Sequence, residues 1–147
     1  MSELTALYQE VLLDHYRSPR NFGELAAPTG RADGHNPLCG DRVTVEVGIV
    51  DDRVGEIAFR GTGCAISTAS ASLMTEAVKG RALAEVRALS AAFRGALTGS
   101  EPPDAGKLGK LVALAGVKEF PMRVKCATLA WHALGAALSG GGMVSTE

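Results

Sequence analysis

The sequence predicts an α+β domain in which a small antiparallel β-sheet packs against several α-helices. Two adjacent segments, at residues 43–49 and about 54–60, alternate apolar and polar residues with the period of a strand. Five other segments repeat apolar residues at helical spacing, one before these strands and four after them. One helix, a small sheet and then several helices is an order typical of α+β proteins.

The first helix is predicted from leucines and other apolar residues that recur between Leu4 and Leu12. Ser2 is a suitable cap for its start, and Ser18-Pro19 marks its end. A loop is expected from residue 21 to about residue 37, because Gly, Pro and Asn are frequent there. The two strands then form an antiparallel hairpin, with Asp51-Asp52 at its turn.

The remaining elements are helices. They are predicted at about residues 65–78, with Gly80 as a C-cap, at 83–97, at 108–115 and from Phe120-Pro121 to about 138. Residues 99–106 are expected to form a surface loop. We therefore assign residues 1–139 to one domain and residues 140–147, which begin with three glycines, to a flexible tail.

Composition and charge exclude several classes of protein. The chain has 147 residues, of which 46% are hydrophobic and 21% charged, as in globular proteins of one domain. Fifteen Lys and Arg against sixteen Asp and Glu give a charge of −1, which argues against a dedicated nucleic-acid binder. No apolar run is long enough for a membrane span, and the N-terminus lacks the pattern of a signal peptide. A cytoplasmic location is the default expectation.

The chain contains three cysteines. An odd number, without a secretion signal, is not a closed disulfide framework. The thiols are therefore buried fillers, metal ligands or reactive groups, and their sequence contexts distinguish these alternatives.

Cys39 lies in the run Asn36-Pro37-Leu38-Cys39-Gly40-Asp41, at the mouth of the first predicted strand. Gly40 permits the backbone angle that lets Cys39 and Asp41 turn toward one point. Thiolate sulfur and carboxylate oxygen are both competent zinc ligands. The alternative interpretation is a turn that holds a buried cysteine.

The other two cysteines are predicted to lie on helices. Cys64 follows Gly61-Thr62-Gly63 and opens a helix, where the positive helix end favours a thiolate. A tight turn that happens to contain a cysteine is the alternative there. Cys126 follows Arg123 and Lys125, two cations that help to hold a thiolate, although its alanine neighbours also suit a packed core cysteine.

Taken together, Cys39, Asp41, Cys64 and Cys126 can close a tetrahedral site of three sulfurs and one oxygen. The intervals of 25 and 62 residues between the cysteines are not those of a zinc finger. Iron–sulfur chemistry uses the same ligand types, so the four residues do not by themselves choose the metal. His35 is close enough to Cys39 in sequence to serve as an alternative ligand.

Four long motifs of this sequence are similar to those of a known family. The chain resembles the IscU/NifU-like iron–sulfur cluster assembly family, and most closely its SufU branch. The resemblance runs through Asp14-His15-Tyr16-Arg17-Ser18-Pro19-Arg20-Asn21, the run around Cys39, residues 61–72 around Cys64, and Arg123-Val124-Lys125-Cys126-Ala127-Thr128-Leu129-Ala130-Trp131. Two features favour the SufU branch: Lys125, where IscU scaffolds usually carry histidine, and the extra length between Cys64 and Cys126.

The resemblance implies a SufU/IscU-like fold and a sulfurtransferase activity. It implies that Cys39, Asp41, Cys64 and Cys126 bind zinc and that the protein accepts persulfide sulfur from a SufS-type cysteine desulfurase. The sulfur then passes to the downstream SUF machinery for iron–sulfur cluster assembly. Cys39 is the expected acceptor, released from the metal when a desulfurase histidine replaces it, and Arg123 is expected to hold or steer the desulfurase.

Two other functions fit the same residues. One is a scaffold on which a transient [2Fe-2S] cluster is assembled. The other is a non-catalytic partner protein in which zinc only holds the fold. The sequence discloses neither the oligomeric state nor the final sulfur recipient.

Overall fold

A four-stranded sheet with helices packed against it forms the frame of the molecule. The structure, a computed structural model, describes residues 3–38, 40–99 and 102–145. Within these residues the helices are α1 (Glu3–Arg17), α2 (Ala65–Val78), α3 (Leu83–Thr98), α4 (Ala105–Leu108) and α5 (Pro121–Leu138), with a 3-10 helix at Gly109–Glu119. The strands are β1 (Gly30–Asn36), β2 (Asp41–Val50), β3 (Arg53–Thr62) and β4 (Gly142–Ser145). The predicted α+β fold is confirmed.

The predicted hairpin is present as β2 and β3. These strands pair antiparallel, and Asp51 and Asp52 both adopt positive φ, at 52° and 58°. Two successive residues with positive φ form a turn whose twist matches that of the strands in a β-hairpin. Val43, Val45 and Val47 of β2 turn inward, so that one face of the hairpin lies in the core.

The predicted loop over residues 21–37 is wrong for Gly30–Asn36, which form β1 and pair antiparallel with β2. The segment is polar and contains two glycines, so it lacks the composition of a strand. The structure explains these glycines, because α5 crosses β1 closely. A Cβ at Gly34 would lie 3.2 Å from Cδ1 of Leu129, and one at Gly30 would overlap the carbonyl oxygen of Ala137.

The predicted Gly-rich tail is also wrong for Gly142–Ser145, which form β4 at the edge of the sheet. β4 runs parallel to β1, with Ala32 opposite Gly142 and His35 opposite Ser145. The sheet, in the order β3-β2-β1-β4, is therefore mixed and not purely antiparallel. Residues 140–142 all have positive φ, the conformation that glycine adopts readily, and they turn the chain from α5 into this strand.

Helices α2 and α5 pack together in the core and fix the positions of the residues at their ends. Ser70 Oγ donates a hydrogen bond to the carbonyl oxygen of Ala127, and Trp131 Nε1 donates to Ser70 Oγ at 3.2 Å. Trp131 also stacks on Phe93 of α3, with ring centroids 4.7 Å apart. The predicted helices at 65–78, 83–97 and 121–138 are confirmed, and Gly80, with φ +84°, follows the end of α2.

The short helix expected at 108–115 is instead α4 followed by the 3-10 helix. Leu108, Leu111 and Leu114 are all buried, and their spacing of three matches the period of a 3-10 helix. Ser2 and residues 100–101, part of the expected surface loop, lie outside the described residues. No helix in the described part of the chain has the length and apolar character needed to span a membrane.

Candidate metal centre

Three elements bring Asp41, Cys64 and Cys126 together. Asp41 is the first residue of β2, Cys64 is the N-cap of α2, and Cys126 lies in the second turn of α5. One carboxylate oxygen and the two Sγ atoms all lie within 4.8 Å of one another. Ligands of a tetrahedral zinc ion stand about 3.3–3.8 Å apart, given Zn–S and Zn–O bonds of roughly 2.3 and 2.1 Å. Asp41 Oδ2 and Cys64 Sγ, 3.6 Å apart, already stand at such a distance, and the outer limit of 4.8 Å for the group exceeds it by about 1 Å.

Asp41 is the organising side chain of this group. It is buried, and its Oδ1 accepts a hydrogen bond from the backbone N of Cys64 at 2.9 Å. Its Oδ2 lies 3.6 Å from Cys64 Sγ, which donates to it. The carboxylate thus ties the start of β2 to the start of α2, with one oxygen directed at the thiol.

Gly63 is the residue that makes this approach possible. A Cβ at this position would lie 3.0 Å from Asp41 Oδ1 and 3.2 Å from Ser67 Oγ. Both distances are shorter than an ordinary van der Waals contact. A side chain at this position would therefore push the Asp41 carboxylate or the Ser67 hydroxyl aside by a few tenths of an ångström, and glycine leaves the carboxylate room to reach the end of the helix.

Cys64 and Cys126 present their thiols in different ways. Cys64 Sγ accepts a hydrogen bond from the backbone N of Ser67 at 3.4 Å and remains exposed. This N–H lies in the first turn of α2 and has no partner within the helix, so Cys64 Sγ caps the start of the helix. Cys126 is buried, so it reaches the centre from the core side.

Cys39 lies outside the described residues, and so its predicted roles as ligand and acceptor stay predictions. Its neighbours are described: Leu38 and Gly40 belong to the turn between β1 and β2, in which Asn36 is opposite Asp41. Leu38 is 58% exposed, and Gly40 has φ +76°. The described part of this turn therefore leads directly into Asp41, the first residue of β2.

The other two predicted site residues, His35 and Arg123, lie outside the group formed by Asp41, Cys64 and Cys126. His35 lines an open groove of about 700 Å³ on the sheet, together with Arg42 and Thr62. It is not part of the group of potential metal ligands found among the described residues. Arg123 is exposed in the first turn of α5, three residues before Cys126 and so on the same side of the helix.

Asn36 is a residue near the site that the sequence interpretation did not single out. It is completely buried at the end of β1, opposite Asp41. A polar residue immediately before a proline and three residues before a cysteine was the available signal, but burial of an asparagine is not visible in a sequence.

Comparison with known proteins agrees with this architecture. The profile of the family described as "NifU-like N terminal domain" matches residues 7–138. The zinc-dependent sulfurtransferase SufU of Bacillus subtilis is 44% identical over 133 residues, which cover 90% of each chain. The iron–sulfur cluster assembly scaffold protein IscU of Streptococcus pyogenes is 43% identical over 134 residues, covering 91% of this chain and 84% of the relative.

A solved structure is similar in fold. It is a candidate iron–sulfur cluster assembly scaffold protein for the SUF system from Fervidobacterium islandicum, with a TM-score of 0.84 and 31% identity. The match covers 94% of this chain and 99% of that one.

These matches, on a mixed sheet that carries an Asp-Cys-Cys centre, define the class of protein. The chain belongs to the family of NifU-like N-terminal domains. Within that family it is similar to SufU and to IscU along nearly its whole length, as its motifs indicate.

Proposed function

We propose that this protein is a zinc-dependent sulfurtransferase that accepts persulfide sulfur from a SufS-type cysteine desulfurase. It passes the sulfur to the downstream SUF machinery for iron–sulfur cluster assembly, in the cytoplasm. The observation that carries the proposal is the convergence of Asp41, Cys64 and Cys126. The similarity of this chain to SufU of B. subtilis, which is named a zinc-dependent sulfurtransferase, also supports the proposal.

The donor set fits zinc. Two thiolates and one carboxylate are typical zinc ligands, and Cys39 is the proposed fourth. When bound, zinc would keep the four side chains deprotonated and protect the thiols from oxidation. The hydrogen bond from the backbone N of Cys64 holds Asp41 Oδ1, which leaves Oδ2 for the metal.

The proposed transfer is a thiol exchange on Cys39. Its thiolate attacks the terminal sulfur of the desulfurase persulfide, and a new S–S bond forms on Cys39. The S–S bond of the desulfurase breaks, and its cysteine leaves as a thiolate. One persulfide is consumed and one is made, so the step needs no oxidant or reductant.

Arg123 is the proposed contact to the desulfurase. Its guanidinium is exposed, and no carboxylate of the described residues lies within ion-pair distance of it. An exposed cation beside the centre attracts an anionic group of a docking partner.

A second candidate function is a scaffold for a transient [2Fe-2S] cluster. The similarity to IscU of S. pyogenes favours it, since that relative is named a scaffold. The two functions differ in metal and in the fate of sulfur, and so one experiment separates them.

The test combines metal analysis with sulfur transfer. Protein purified without oxygen is expected to contain one zinc per chain and to stimulate its SufS-type desulfurase. Cys39→Ala is expected to abolish the stimulation with the fold intact, which a purely structural role of zinc does not explain. Iron without zinc, together with a visible absorption spectrum of a cluster, would contradict the zinc assignment and favour the scaffold.

A further inference from the structure

Two thiols of the candidate centre lie close enough to bond to each other. The Sγ atoms of Cys64 and Cys126 are within 4.8 Å, and neither cysteine is part of a disulfide in the structure. The sulfurs of a disulfide stand about 2.05 Å apart, so these two must approach by at most about 2.7 Å. Cys64 is exposed at the N-cap of α2, and rotation about its Cα–Cβ bond moves the sulfur without moving the helix. A change of side-chain rotamer is therefore a route to the bond that leaves α2 and α5 packed.

The two thiols differ in their access to a small molecule in solvent. Cys64 is exposed, whereas Cys126, within α5, is only 5% exposed. A cysteine that responds to oxidants is typically accessible to solvent and stands beside a second cysteine that resolves the oxidised sulfur. Cys64 has the exposure of the first, and Cys126 has the neighbouring, protected position of the second. An oxidant therefore reaches Cys64, and Cys126 is placed to react with the product.

The same two sulfurs are needed for the proposed zinc site. A sulfur in a disulfide carries no thiolate, and the thiolate is the form that binds metal. Of the four proposed ligands only Asp41 and Cys39 would remain, fewer than the three protein ligands of a catalytic zinc site. Coordination by zinc, in turn, would occupy both sulfurs. Zinc binding and a disulfide between Cys64 and Cys126 therefore exclude each other.

We propose that Cys64 and Cys126 are a site of reversible oxidation, at which hydrogen peroxide forms a disulfide in the metal-free protein and so prevents zinc binding. The Cys64 sulfur attacks one oxygen of the peroxide, the O–O bond breaks, and a sulfenic acid on Cys64 and a water form. The Cys126 sulfur then attacks the Cys64 sulfur, the S–O bond breaks, and the hydroxyl leaves as a second water with the Cys126 proton. Two thiols are oxidised and one peroxide is reduced, and a dithiol reductant reverses the change. The disulfide rests on the geometry of the two thiols, and its effect on zinc rests on the proposed function.

The test maps the disulfide and measures zinc uptake. The full chain is reduced, made metal-free with a chelator and treated with an equimolar amount of hydrogen peroxide. Peptide mass analysis after alkylation should find the peptides of Cys64 and Cys126 cross-linked, with Cys39 alkylated and two hydrogens lost from the intact chain. Zinc uptake should then be at least about tenfold lower than in the reduced protein, because two ligands are lost, and a dithiol reductant should restore it.

Two variants and the zinc-loaded protein test the assignment of the thiols. Cys39→Ser keeps both partners and is expected to form the disulfide at the wild-type rate. Adding Cys126→Ser to that variant removes the resolving thiol, so oxidation is expected to stop at a sulfenic acid on Cys64, which a dimedone reagent traps. Zinc-loaded wild type should form the disulfide at least about tenfold more slowly, since the metal holds both sulfurs.

A disulfide that contains Cys39, or a sulfenic acid on Cys64 that stays unlinked in wild type, would overturn the inference. So would zinc uptake at the level of the reduced protein once Cys64 and Cys126 are cross-linked. If the double variant does not fold, the peptide maps of wild type and Cys39→Ser decide the pairing. Failure of the proposed function is a different result: reduced wild-type protein would bind no zinc, although the disulfide would still form.

Discussion

Two regions of the candidate metal centre are held by different contacts. One is the pair of helices with Cys64 and Cys126, and the other is the loop between β1 and β2 that contains Cys39. Cys64 and Cys126 lie on α2 and α5, which are locked together through Ser70 and Trp131 in the core. The loop is held by the two hydrogen bonds that Asn36 accepts from the backbone N of Leu38 and of Gly40. Leu38 is exposed, and Gly40 has open space where a side chain would be.

This difference favours Cys39 as the one of the proposed ligands that is able to move. Displacing Cys64 or Cys126 disturbs packed helices, and close-packed interiors resist such shifts. Displacing the loop breaks two hydrogen bonds, each worth about 0.5–1.5 kcal/mol. A protein that must release one ligand to a partner and keep the others benefits from this division.

The largest expected effect is on the location of the transferred sulfur. After incubation with desulfurase and cysteine, alkylation and peptide mass analysis should find the persulfide on Cys39. Cys39→Ser should reduce transfer at least 100-fold. We call β2, α2 and α5, which carry Asp41, Cys64 and Cys126, the framework. The distinction between a movable loop and a fixed framework would be wrong if the persulfide were found mainly on Cys64 or Cys126. Loss of transfer in Cys64→Ser alone does not decide between them, since the loss of a ligand anchored on a packed helix releases the metal.

Metal removal should lower the melting temperature by roughly 5–11 °C. A ligand present at about 100 times its dissociation constant stabilises the folded state by roughly 2.7 kcal/mol, and each kcal/mol shifts a chain of this size by about 2–4 °C. The centre joins β2, α2 and α5, which are far apart in sequence, so its metal acts on the whole fold. Calorimetry of the zinc-loaded and chelator-treated protein measures the shift. An unchanged melting temperature after verified zinc removal would contradict a ligand set anchored on the framework.

A smaller effect is expected from Gly63→Ala. The added Cβ meets Asp41 Oδ1 at 3.0 Å, and so it should push the carboxylate away and weaken zinc binding about tenfold. Gly135→Ala is the control, because nothing lies within 4 Å of a Cβ in that part of α5, and it should stabilise the protein by about 0.4–1 kcal/mol. Competition with a chromophoric chelator gives both affinities. Equal zinc affinity in the two variants would mean that the framework is as adaptable as the loop.

The framework was largely predictable from the sequence, and the reason is periodicity. The local sequence predicts helices with an apolar stripe and a hairpin with alternating valines, because the burial of each residue follows its position in the repeat. β1 and β4 lack such a pattern. Gly34 of β1 is favoured by the close approach of α5, and the glycines at 140–142 are favoured by their positive φ. Their pairing depends on α5 and the sheet, which the local sequence does not contain.

The candidate site divides in the same way. Residue types and the family motifs indicated Asp41, Cys64 and Cys126 as members of one centre, and the structure brings them together. The space that Gly63 leaves for the Asp41 carboxylate and the burial of Asn36 depend on how three elements meet. Neither is visible before the chain is folded.

The smallest effect concerns the far end of α2 and the pH of the solution. His15 of α1 is buried, with Nδ1 2.7 Å from Ser72 Oγ and Nε2 3.4 Å from Glu76 Oε1. Ser72 Oγ also accepts a hydrogen bond from the backbone N of Arg20, so its own proton is free to donate to Nδ1. The neutral imidazole suits this arrangement. Burial, and after it the Arg20 charge, lowers the pKa of His15 below the ordinary histidine value of about 6.5, although Glu76 and Asp14 oppose the shift.

The unfolded chain therefore takes up a proton on His15 at a higher pH than the folded protein does. The free energy of unfolding should be highest above about pH 6.5 and should fall as the pH drops below it, by at most about 1.4 kcal/mol per pH unit for this group. His15→Gln should flatten that decline, and the difference between the two proteins at pH 8 gives the cost of the lost contacts alone. Burial also lowers the pKa of His132, so His132→Gln should remove a separate share. Urea unfolding of metal-free protein between pH 5 and 8 measures these slopes without contributions from protonated zinc ligands. Parallel curves for wild type and His15→Gln would show that the contact between α1 and α2 is indifferent to this proton.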